Sequence, residues 1–516
     1  MGAAQQSNGH AVGDWLRSTV PPGAHLRVDS RAVRLGDIFV ALPGRRADGL
    51  QYLDQALASG AAALLVDAAS WAHAHGRSAP GAPVLPVARL QDSLGDIAAD
   101  YYGDASAQLR TIGITGTNGK TSSCQWIAQL LTAAGQPCAA IGTLGFGFAG
   151  APCLEATDLT TPDAASLQRM ARTALREGAK ALAIEVSSIG LEQGRVNGLR
   201  FGIALFTNLS RDHLDYHPDM AAYGAAKRKL FECPSLSHAV VNLDDEFGRR
   251  LVPGLLARGL AVTGVGTRPD AGEGLALACW LHAHSIEQRP QGLRFAVACA
   301  RAGAVERAIV QVSLIGAFNV ANLLGVLGVA LACDVSLADA AAHAASLYAP
   351  PGRLQPVCVP LDGPAPMVIV DYAHSPDAIA KALEALQPLA RARSGRLCIV
   401  FGAGGDRDRG KRPVMGAVAA SGAQDIVLTS DNPRSEDAES IIDEVARGIP
   451  PGVAFRRDAD RAHAIEHALL AAAPSDVILI AGKGHEDYQE VAGRRLPFSD
   501  YAVARGALLA RGAARP

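Results

Sequence analysis

The sequence lacks an excess of charge of either sign, and it lacks cysteines at the spacing that metal and redox motifs require. Its 516 residues include 48 Lys and Arg against 50 Asp and Glu, a net charge of -2. Nothing therefore favours nucleic acid or an anionic membrane as a partner, and any anion-binding site has to be local. The nine cysteines form no CxxC pair, and their odd number favours reduced, buried thiols.

Signals for export and for membrane insertion are also missing. No early Lys or Arg precedes an apolar run near the first residue, so we expect no signal peptide. The most apolar stretch, residues 314–333, contains Asn319, Asn322 and three glycines. A buried helix fits such a stretch better than a membrane span does. We expect a cytoplasmic protein that is a monomer and has no membrane partner.

Abundant apolar residues and well-separated breaks characterise the rest of the sequence. Hydrophobic residues make up 49% of the chain and charged residues 19%, which allows a large core and excludes general disorder. At roughly 100–200 residues per domain, the length predicts about three domains. Pro/Gly clusters at 78–86 and 348–356 place the domain boundaries near 88 and 350.

The hydrophobic pattern predicts an α/β fold in all three parts. Residues 28–88 alternate short apolar runs with turns, which is typical of a small α/β domain. Residues 89–350 contain apolar runs that indicate a parallel sheet. Within them, residues 275–315 show short alternating strands between glycine turns, which predicts an antiparallel addition. The predicted central strands are 109–115, 181–188 and 204–210.

Residues 351–516 alternate predicted strands with predicted helices such as 376–392. This order predicts a doubly wound, Rossmann-like domain, in which ligands bind beyond the carboxyl ends of the strands. Polar clusters follow those ends, namely DYAH, GAGGDRDRGKR, SDNPRSED and GKGHED. The predicted strands are 367–373, 396–403, 425–431 and 476–482.

A glycine-rich loop between a predicted strand and a predicted helix indicates a phosphate site. Residues 113–121 read GITGTNGKT. Glycines let backbone N–H groups approach phosphate oxygens, and a helix N-terminus adds partial positive charge. Lys120 can reach the β- and γ-phosphates of a nucleotide, and the Thr121 hydroxyl can hold Mg²⁺. The strict pattern GxxxxGK(S/T) would need glycine at Ile114, and kinases, GTPases and ligases all use such loops.

Three further residues could complete a metal site beside this loop. Glu185 ends one predicted strand, His213 follows another, and Lys227 lies on the next predicted helix. A carboxylate and an imidazole near a phosphate loop suit a divalent cation. Each residue also has an ordinary structural explanation, and the spacing leaves both interpretations open.

Taken together, the motifs resemble those of the Mur ligases. The family's signatures occur in order as TGTNGKT, EVSS, NLSRDHLDYH, YGAAK, LIGAFNVANLL, PGRLQPV, VDYAHSPDA, FGAGGDRDRGKR, TSDNPR and AGKGHEDYQ. The opening VDSRAVRLGDIFVALPG resembles the uridine-binding segment of the family. The motifs are most similar to those of members that add meso-2,6-diaminopimelate to UDP-N-acetylmuramoyl-L-alanyl-D-glutamate in peptidoglycan precursor synthesis. The resemblance covers nearly all of the chain.

The resemblance implies a UDP-sugar domain at 1–88, an ATP-binding ligase domain at 89–350 and an amino-acid domain at 351–516, with ATP as substrate and Mg²⁺ as cofactor. The implied ATP contacts are Gly116, Thr117, Asn118, Gly119, Lys120, Thr121, Ser122, Asn319, Arg353, Asp371 and His374. The implied contacts of the UDP-muramoyl-dipeptide are Val28, Ser30, Thr160, Thr161, Ser187, Gln193 and Arg195. The implied diaminopimelate contacts are Arg407, Asp431, Asn432, Pro433, Arg434, Gly482 and Glu486.

The resemblance also implies the catalytic and metal-binding residues. Lys120, Glu185, His213 and Lys227 match the catalytic positions, and Thr121, Glu185, His213 and Lys227 match the Mg²⁺ ligands. Lys227 matches the lysine that CO₂ carbamylates in this family to N6-carboxylysine, and a carbamate is an anion that can bind a metal. Three positions depart from the usual family residues without holding an implied role, namely Ile189, Ala317 and Ala403.

The chemistry of amide formation explains why such residues would be needed. A carboxylate is a poor electrophile, and ATP can convert it to an acyl phosphate that an amine then attacks. Lys120, Mg²⁺ and the helix N-terminus would oppose the charges of the two approaching anions. Arg434 would select diaminopimelate over lysine, because a guanidinium pairs bidentately with the distal carboxylate that lysine lacks. Arg407 would hold a second carboxylate, and Glu486 an ammonium.

Other functions remain as alternatives. A lysine-adding muramyl ligase or a folylpolyglutamate synthase would share the fold and the reaction. The DNPR motif disfavours the first, and the uridine-type segment disfavours the second. A P-loop NTPase switch would act on protein partners, but the sequence has no NKxD-type guanine motif. A nicotinamide dehydrogenase would need GxGxxG opening a helix, whereas charges follow GAGGDR.

Overall fold

The computed structural model describes residues 2–44, 48–73, 81–289, 291–360 and 363–513. Contacts divide the chain into two compact units. Unit 1 comprises residues 1–283, 297–308 and 321–343, and unit 2 comprises 284–296, 309–320 and 344–516. The domain boundaries near 88 and 350 remain predictions.

Unit 1 begins with a four-stranded parallel sheet in the order β1-β2-β3-β4. Alternate residues of its strands pack on opposite faces, with Ile38 in one apolar cluster and Phe39 in another, so both faces are buried. The elements are α1 Gly2–Thr19, β1 Leu26–Arg27, β2 Ile38–Ala41, α2 Leu53–Ala58, β3 Ala63–Asp67, α3 Ala68–His73, β4 Val84–Val87 and α4 Leu90–Tyr102, with 3-10 turns at Ser30–Ala32 and Gly49–Tyr52.

Strand β4 overlaps the end of the Pro/Gly cluster at 78–86, which was predicted only as a break in the chain. Residues 78–80 of that cluster lie outside the described residues. Strand β4 pairs only with β3 at the edge of its sheet, so Pro86 removes no bond that a neighbouring strand would need. Helix α1 was not predicted either.

The larger sheet, most of whose residues belong to unit 1, has ten strands in the order β14-β13-β12-β11-β10-β9-β5-β8-β6-β7. Its strands are β5 Arg110–Thr115, β6 Cys138–Gly142, β7 Gly145–Phe148, β8 Ala181–Glu185, β9 Ile203–Phe206, β10 His238–Asn242, β11 Ala261–Gly266, β12 Cys279–Arg289, β13 Gly292–Arg301 and β14 Ala304–Val312. The seven neighbouring strands β12, β11, β10, β9, β5, β8 and β6 pair in parallel, so the predicted parallel sheet is confirmed. Ala302 and Gly303 join β13 to β14 with positive φ at both residues, as a tight hairpin turn requires.

The helices before, between and after these strands are α5 Ala105–Gln108, α6 Lys120–Ala133, α7 Ala164–Arg176, α8 Ser188–Glu192, α9 Met220–Arg228, α10 Glu246–Ala257, α11 Asn319–Ala332 and α12 Leu337–Ala344, with 3-10 turns at Lys229–Glu232 and Pro269–Gly272. Helix α11 confirms the buried helix predicted from residues 314–333. Among the described residues, no helix is long and apolar enough to cross a membrane.

Unit 2 contains a six-stranded sheet in the order β15-β16-β20-β17-β18-β19 and a separate hairpin, β21-β22. The strands are β15 Gln355–Pro356, β16 Met367–Asp371, β17 Leu397–Phe401, β18 Asp425–Thr429, β19 Arg456–Asp458, β20 Val477–Ala481, β21 Tyr488–Val491 and β22 Arg494–Pro497. The helices are α13 Pro376–Ala392, α14 Lys411–Gly422, α15 Ala438–Ala446, α16 Arg461–Ala471 and α17 Asp500–Ala513.

The sheet of unit 2 is covered on both faces, which confirms the doubly wound prediction. Strand β17 sends Ile399 and Phe401 into one apolar cluster and Cys398 and Val400 into another. Only β15 pairs antiparallel with its neighbour. In both units, the polar loops predicted to carry function follow the carboxyl ends of parallel strands.

Candidate active site

The glycine-rich loop has the predicted strand–loop–helix geometry. Strand β5 ends at Thr115, and helix α6 begins at Lys120. A Cβ on Gly116, whose φ is +152°, would lie 1.9 Å from the Thr207 hydroxyl oxygen, so a side chain there is excluded. Ile114 is a strand residue paired with Glu185, which explains why no glycine is needed at that position.

Residues outside the motif fix the backbone of this loop by hydrogen bonds. The Asn118 N–H donates to Asn208 Oδ1 at 3.0 Å, and the Thr117 N–H donates to the Asn208 carbonyl at 2.8 Å. The Thr207 hydroxyl donates to the Asn118 carbonyl at 2.7 Å. The end of β9 therefore fixes the backbone that would surround a phosphate.

Two lysine ammonium groups converge on one carbonyl of the loop. Lys120 Nζ and Lys227 Nζ both donate to the Gly116 carbonyl, at 2.9 and 2.7 Å. Lys227 lies on α9 and is 1% exposed, with its Nζ 4.3 Å from the ring centre of Tyr223. Burial first, and then the charge of Lys120, lowers the pKa of Lys227 well below its usual range. Burial and charge thus favour the neutral amine, which is the form that attacks CO₂.

Glu185 connects the phosphate loop to the next part of the site. Its fully buried carboxylate accepts a hydrogen bond from the Thr121 hydroxyl at 2.8 Å, on Oε2. The Thr143 N–H donates to Oε1 at 2.8 Å, and the Thr143 hydroxyl donates to Thr160 Oγ1 at 3.2 Å. Glu185 therefore joins two groups of residues that the sequence analysis assigned separately, to ATP and to the dipeptide.

The predicted dipeptide contacts in the large sheet lie together. The Thr161 hydroxyl hydrogen-bonds to the Glu185 carbonyl at 2.9 Å, and the Ser187 N–H donates back to that hydroxyl at 2.9 Å. Arg195 donates to the Thr161 carbonyl at 2.8 Å and to Gln193 Oε1 at 2.6 Å. Burial lowers the pKa of Arg195.

The two predicted UDP contacts lie elsewhere in unit 1, beside the small parallel sheet. Val28 follows β1 and is half-buried, whereas Ser30 is buried and donates to Gln55 Oε1 at 2.8 Å. Asp29 caps the short turn at Ser30–Ala32 by accepting from the Arg31 N–H. The segment is therefore ordered, with its backbone fixed by the cap.

The predicted metal ligands are oxygen-rich but do not form a complete site in the unmodified chain. Thr121 and Glu185 present adjacent oxygens, which suits Mg²⁺. Partial burial, reinforced by Lys120 and Lys227, lowers the pKa of His213 and favours the neutral imidazole that can bind a metal. Within the described ranges, no three His, Cys, Asp or Glu side chains are grouped to hold an ion. The residues fit a cation that takes its other ligands from phosphate oxygens, water or a carbamate.

In unit 2, three of the predicted nucleotide residues, Arg353, Asp371 and His374, lie around the end of β16. The guanidinium carbon of Arg353 lies 4.6 Å from the ring centre of Tyr372. Asp371 accepts the N–H groups of Leu354 and Ala373 at 2.7 and 2.8 Å, and burial raises the pKa of Asp371. Two further predicted residues hydrogen-bond to nearby backbone carbonyls, namely Asn319 to Ile315 at 2.7 Å and His374 Nδ1 to Tyr372 at 2.8 Å.

The predicted amino-acid residues of unit 2 come from three strand ends. Asn432 Nδ2 donates to Glu486 Oε2 at 2.8 Å. Gly482 follows β20, and a Cβ there would lie 2.4 Å from Asp431 Oδ2. Arg407 is exposed on the loop after β17. A Cβ on Gly405 in that loop would lie 1.9 Å from the Pro433 carbonyl oxygen, so the loops after β17 and β18 are in close contact.

Arg434 adopts a left-handed backbone, with φ of +54°, and the β21-β22 hairpin holds it there. The Arg434 N–H donates to the Glu490 carbonyl at 3.0 Å, and the Ala492 N–H donates to the Arg434 carbonyl at 2.7 Å. The guanidinium donates to the Gly405 carbonyl at 2.6 Å and pairs with Glu490 at 3.5 Å. These contacts engage two of its five N–H donors, which leaves donors for a ligand carboxylate.

Several residues at these sites escaped the sequence analysis. Tyr223 stands four residues before Lys227 on α9, a spacing that puts both on one helix face. Lys483 lies inside the quoted GKGHED cluster, next to a residue that was assigned. Thr143 and Asn208 contact the site through both backbone and side-chain atoms. Asn208 is the first residue of the quoted NLSRDHLDYH motif, whereas Thr143 carried no separate signal.

Known proteins match this chain over most of its length. Three family models match, described as Mur ligase family, catalytic domain (residues 24–102), Mur ligase middle domain (114–330) and Mur ligase, glutamate ligase domain (352–484). The UDP-N-acetylmuramoyl-L-alanyl-D-glutamate--2,6-diaminopimelate ligase of Ralstonia nicotianae is 48% identical over 508 residues, which cover 97% of this chain and 96% of the relative. The ligase of the same name from a Janthinobacterium species is 46% identical, with 96% of each chain covered.

A solved structure of a UDP-N-acetylmuramoyl-L-alanyl-D-glutamate--2,6-diaminopimelate ligase matches with a TM-score of 0.64 at 34% identity, covering 94% of this chain and 95% of that chain. The fold and the sites thus define an α/β ligase of three-domain architecture that joins an acid to an amino acid. The chain belongs to the Mur ligase family. The predicted family, fold class and type of enzyme are confirmed.

Proposed function

We propose that this chain is the ATP-dependent ligase that adds meso-2,6-diaminopimelate to UDP-N-acetylmuramoyl-L-alanyl-D-glutamate in peptidoglycan precursor synthesis. The relatives named above carry this activity in their names. The observation that carries the proposal is the cluster in unit 2, where Asn432 hydrogen-bonds to Glu486 and the β21-β22 hairpin holds Arg434 nearby. A guanidinium and a carboxylate complement the distal carboxylate and ammonium of diaminopimelate.

In unit 1, the proposed first step is phosphorylation of the D-glutamate γ-carboxylate by ATP. The backbone N–H groups at the start of α6 would bind the phosphates, and Lys120 would move from the Gly116 carbonyl to a phosphate oxygen. Mg²⁺, when bound, would offset the charge on the phosphates. Thr121, Glu185 and His213, with Lys227 as a carbamate, are the residues that would hold it.

The path from ATP to the second substrate runs through hydrogen bonds of Glu185. Thr121 contacts one side of this carboxylate, and Thr143 connects the other side to Thr160. Thr160, Thr161, Ser187, Gln193 and Arg195 would orient the muramoyl-dipeptide, with Val28 and Ser30 contacting its UDP part. We propose the same domain assignments as the sequence suggested, 1–88, 89–350 and 351–516.

In unit 2, the incoming amino acid would be selected by charge. Arg434 would pair with the distal carboxylate, Arg407 with a second carboxylate, and Glu486 with the distal ammonium. Asp431, Asn432, Pro433 and Gly482 would shape the pocket, and Asn319, Arg353, Asp371 and His374 would contact the nucleotide. The neutral amine of the amino acid attacks the acyl phosphate, and phosphate leaves from the tetrahedral intermediate.

The remaining alternatives differ in substrate. In a lysine-adding ligase, the Arg434 guanidinium would have no partner in the substrate, because lysine lacks the distal carboxylate. A folylpolyglutamate synthase would have no use for the uridine-type segment that the first family model covers from residue 24.

We propose a cytoplasmic monomer, with small molecules as its partners.

Phosphate release tests this function directly. The protein is incubated with ATP, Mg²⁺ and UDP-N-acetylmuramoyl-L-alanyl-D-glutamate, with meso-diaminopimelate or L-lysine as the amine. We expect release with diaminopimelate to exceed release with lysine by about 10⁴-fold in kcat/KM, as for sites built around buried polar partners. Equal rates with the two amines would overturn the proposed specificity. Release that needs no amine would favour the NTPase alternative.

A further inference from the structure

Lys483 is a buried cation directly behind the amino-acid site of unit 2. It follows β20 by two residues and is 0% exposed. Its Nζ donates to Asn432 Oδ1 at 3.0 Å and to Glu486 Oε2 at 2.9 Å. Since Asn432 Nδ2 also donates to Glu486 Oε2, the three side chains form a closed ring of hydrogen bonds.

The ring fixes which atoms remain for a ligand. Both bonds to Glu486 end on Oε2, so Oε1 keeps its capacity to accept from a ligand ammonium. Asn432 Oδ1 accepts from Lys483 and from the Glu490 N–H at 2.8 Å. Its amide is therefore set in one orientation, with Nδ2 directed at the carboxylate.

Lys483 balances the negative charge of Glu486. The Lys483 side chain is fully buried and the Glu486 side chain is 18% exposed, so removal of the lysine would leave a largely shielded carboxylate without its cationic partner. Glu486 must be charged to attract an ammonium, and Lys483 supplies the compensating charge from the buried side. The ring of Tyr488 lies 5.4 Å from Lys483 Nζ and helps to locate it.

We propose that Lys483 is a positioning residue of the amino-acid site, which holds the Glu486 carboxylate and the Asn432 amide so that Glu486 Oε1 receives the distal ammonium of a diamino dicarboxylic acid. This inference rests on the proposed function and assigns a role to a residue outside the predicted set. Lys483 itself touches neither substrate nor nucleotide; it acts through its two neighbours.

The test compares wild type with Lys483→Met, Glu486→Gln and the double variant in the phosphate-release assay. We expect Lys483→Met to raise KM for meso-diaminopimelate about 10-fold or more, since a charged hydrogen-bond partner is lost. KM for ATP and for the UDP-linked substrate should change less than about threefold. In the Glu486→Gln background, the loss caused by Lys483→Met should shrink, because the two residues act on one contact.

A surface lysine of the same unit provides the control, since Lys381 forms an exposed i,i+4 pair with Asp377. Lys381→Met should leave every KM unchanged. If Lys483→Met does not fold, as judged by circular dichroism, Lys483→Gln is tested by the same criteria. An unchanged KM for diaminopimelate, equal increases for all three substrates, or fully additive losses would overturn the inference while leaving the proposed function intact. A wild type without diaminopimelate-dependent release would overturn both.

Discussion

The two candidate sites treat buried charge in opposite ways. In unit 1, Lys227 is buried and donates to a backbone carbonyl, with a second lysine on the same oxygen. In unit 2, Lys483 donates to the carboxylate of Glu486, and Arg461 forms a fully buried pair with Asp500. The first site brings two lysine amino groups to one carbonyl oxygen, whereas the second pairs its cations with carboxylates.

The contrast follows from what each site would bind. A triphosphate and a carboxylate bring negative charge to the first site, which the Lys120 ammonium and the N–H groups at the start of α6 are placed to offset. An amino acid with two carboxylates and an ammonium carries charges of both signs at fixed distances. Recognition then depends on orientation, and internally paired groups keep their orientation before the ligand binds.

The largest expected effect is at Lys227, which we propose becomes an anion by carbamylation. Lys227→Ala should lower kcat about 1,000-fold, as for loss of a group that stabilises transition-state charge. Short carboxylic acids such as acetate should restore part of the rate by supplying the missing oxygens. Steady-state phosphate release with and without acetate measures both effects.

Lys229 is the matched control, because it follows the same helix and forms an exposed pair with Glu192. Lys229→Ala should keep nearly the full rate, with no response to acetate. Full activity of wild type in CO₂-free buffer would contradict the carbamate and leave the two sites less different than we describe.

An intermediate effect is expected at Arg434, where the substrate pairs with a prepositioned guanidinium. Arg434→Met should reduce discrimination between diaminopimelate and lysine by about 100-fold or more, chiefly by raising KM for diaminopimelate. Competition between the two amines in one reaction, with the products separated by mass, measures the ratio.

Arg447 lies on the surface just after α15 and serves as the control for charge alone. Arg447→Met should leave the ratio unchanged. If Arg434→Met keeps the wild-type ratio, selection by the guanidinium is wrong, and the balanced charges of unit 2 have a purely structural role.

The smallest effect concerns pH and a neutral histidine of unit 2. Burial, followed by the charge of Arg353, lowers the pKa of His485 from 6.5 to about 4. The unfolded chain then binds more protons between these values, so the stability from neutral His485 is full above about pH 6.5 and declines as pH falls towards 4. His485→Gln should flatten the decline in Tm over this range by about 2 °C. Thermal unfolding at several pH values measures it.

His463 gives a control of opposite sign, since its hydrogen bond to Asp458 raises its pKa. The contribution of His463 to stability is present at low pH and is lost as pH rises. His463→Gln should therefore not reduce the decline in Tm between pH 6.5 and pH 4. If Tm still declines to the same extent between pH 6.5 and pH 4 in His485→Gln, the burial of neutral His485 is not the cause of that decline.

The sequence predicted elements and strand ends better than the contacts between loops. Helix α13 begins and ends where its pattern predicts, because Ser375 caps it and Pro376 opens it. Strand β4 was missed, since an edge position tolerates Pro86 and hides the usual signal. The phosphate loop was predicted from its glycines, which report a backbone requirement directly.

The contacts that complete each site were beyond sequence analysis for a physical reason. Glu185 meets Thr143, and Lys483 meets Asn432, across distances in sequence that no local pattern encodes. The absence of a preformed group of metal-binding side chains among the described residues was also not foreseen, because spacing does not show how far apart such groups lie. Resemblance supplied the roles of Glu185 and Asn432, whereas the contacts of Thr143 and Lys483 were found only in the structure.

Transfer of an oxygen atom tests the central claim most directly. The γ-carboxylate of the D-glutamate residue is labelled with ¹⁸O, and the phosphate released during turnover with meso-diaminopimelate is analysed by mass spectrometry. Because the carboxylate oxygen attacks the γ-phosphorus and departs with phosphate, we predict one ¹⁸O atom in each phosphate released. Unlabelled phosphate, formed at the same rate as the amide product, would contradict an acyl phosphate made at the loop of unit 1.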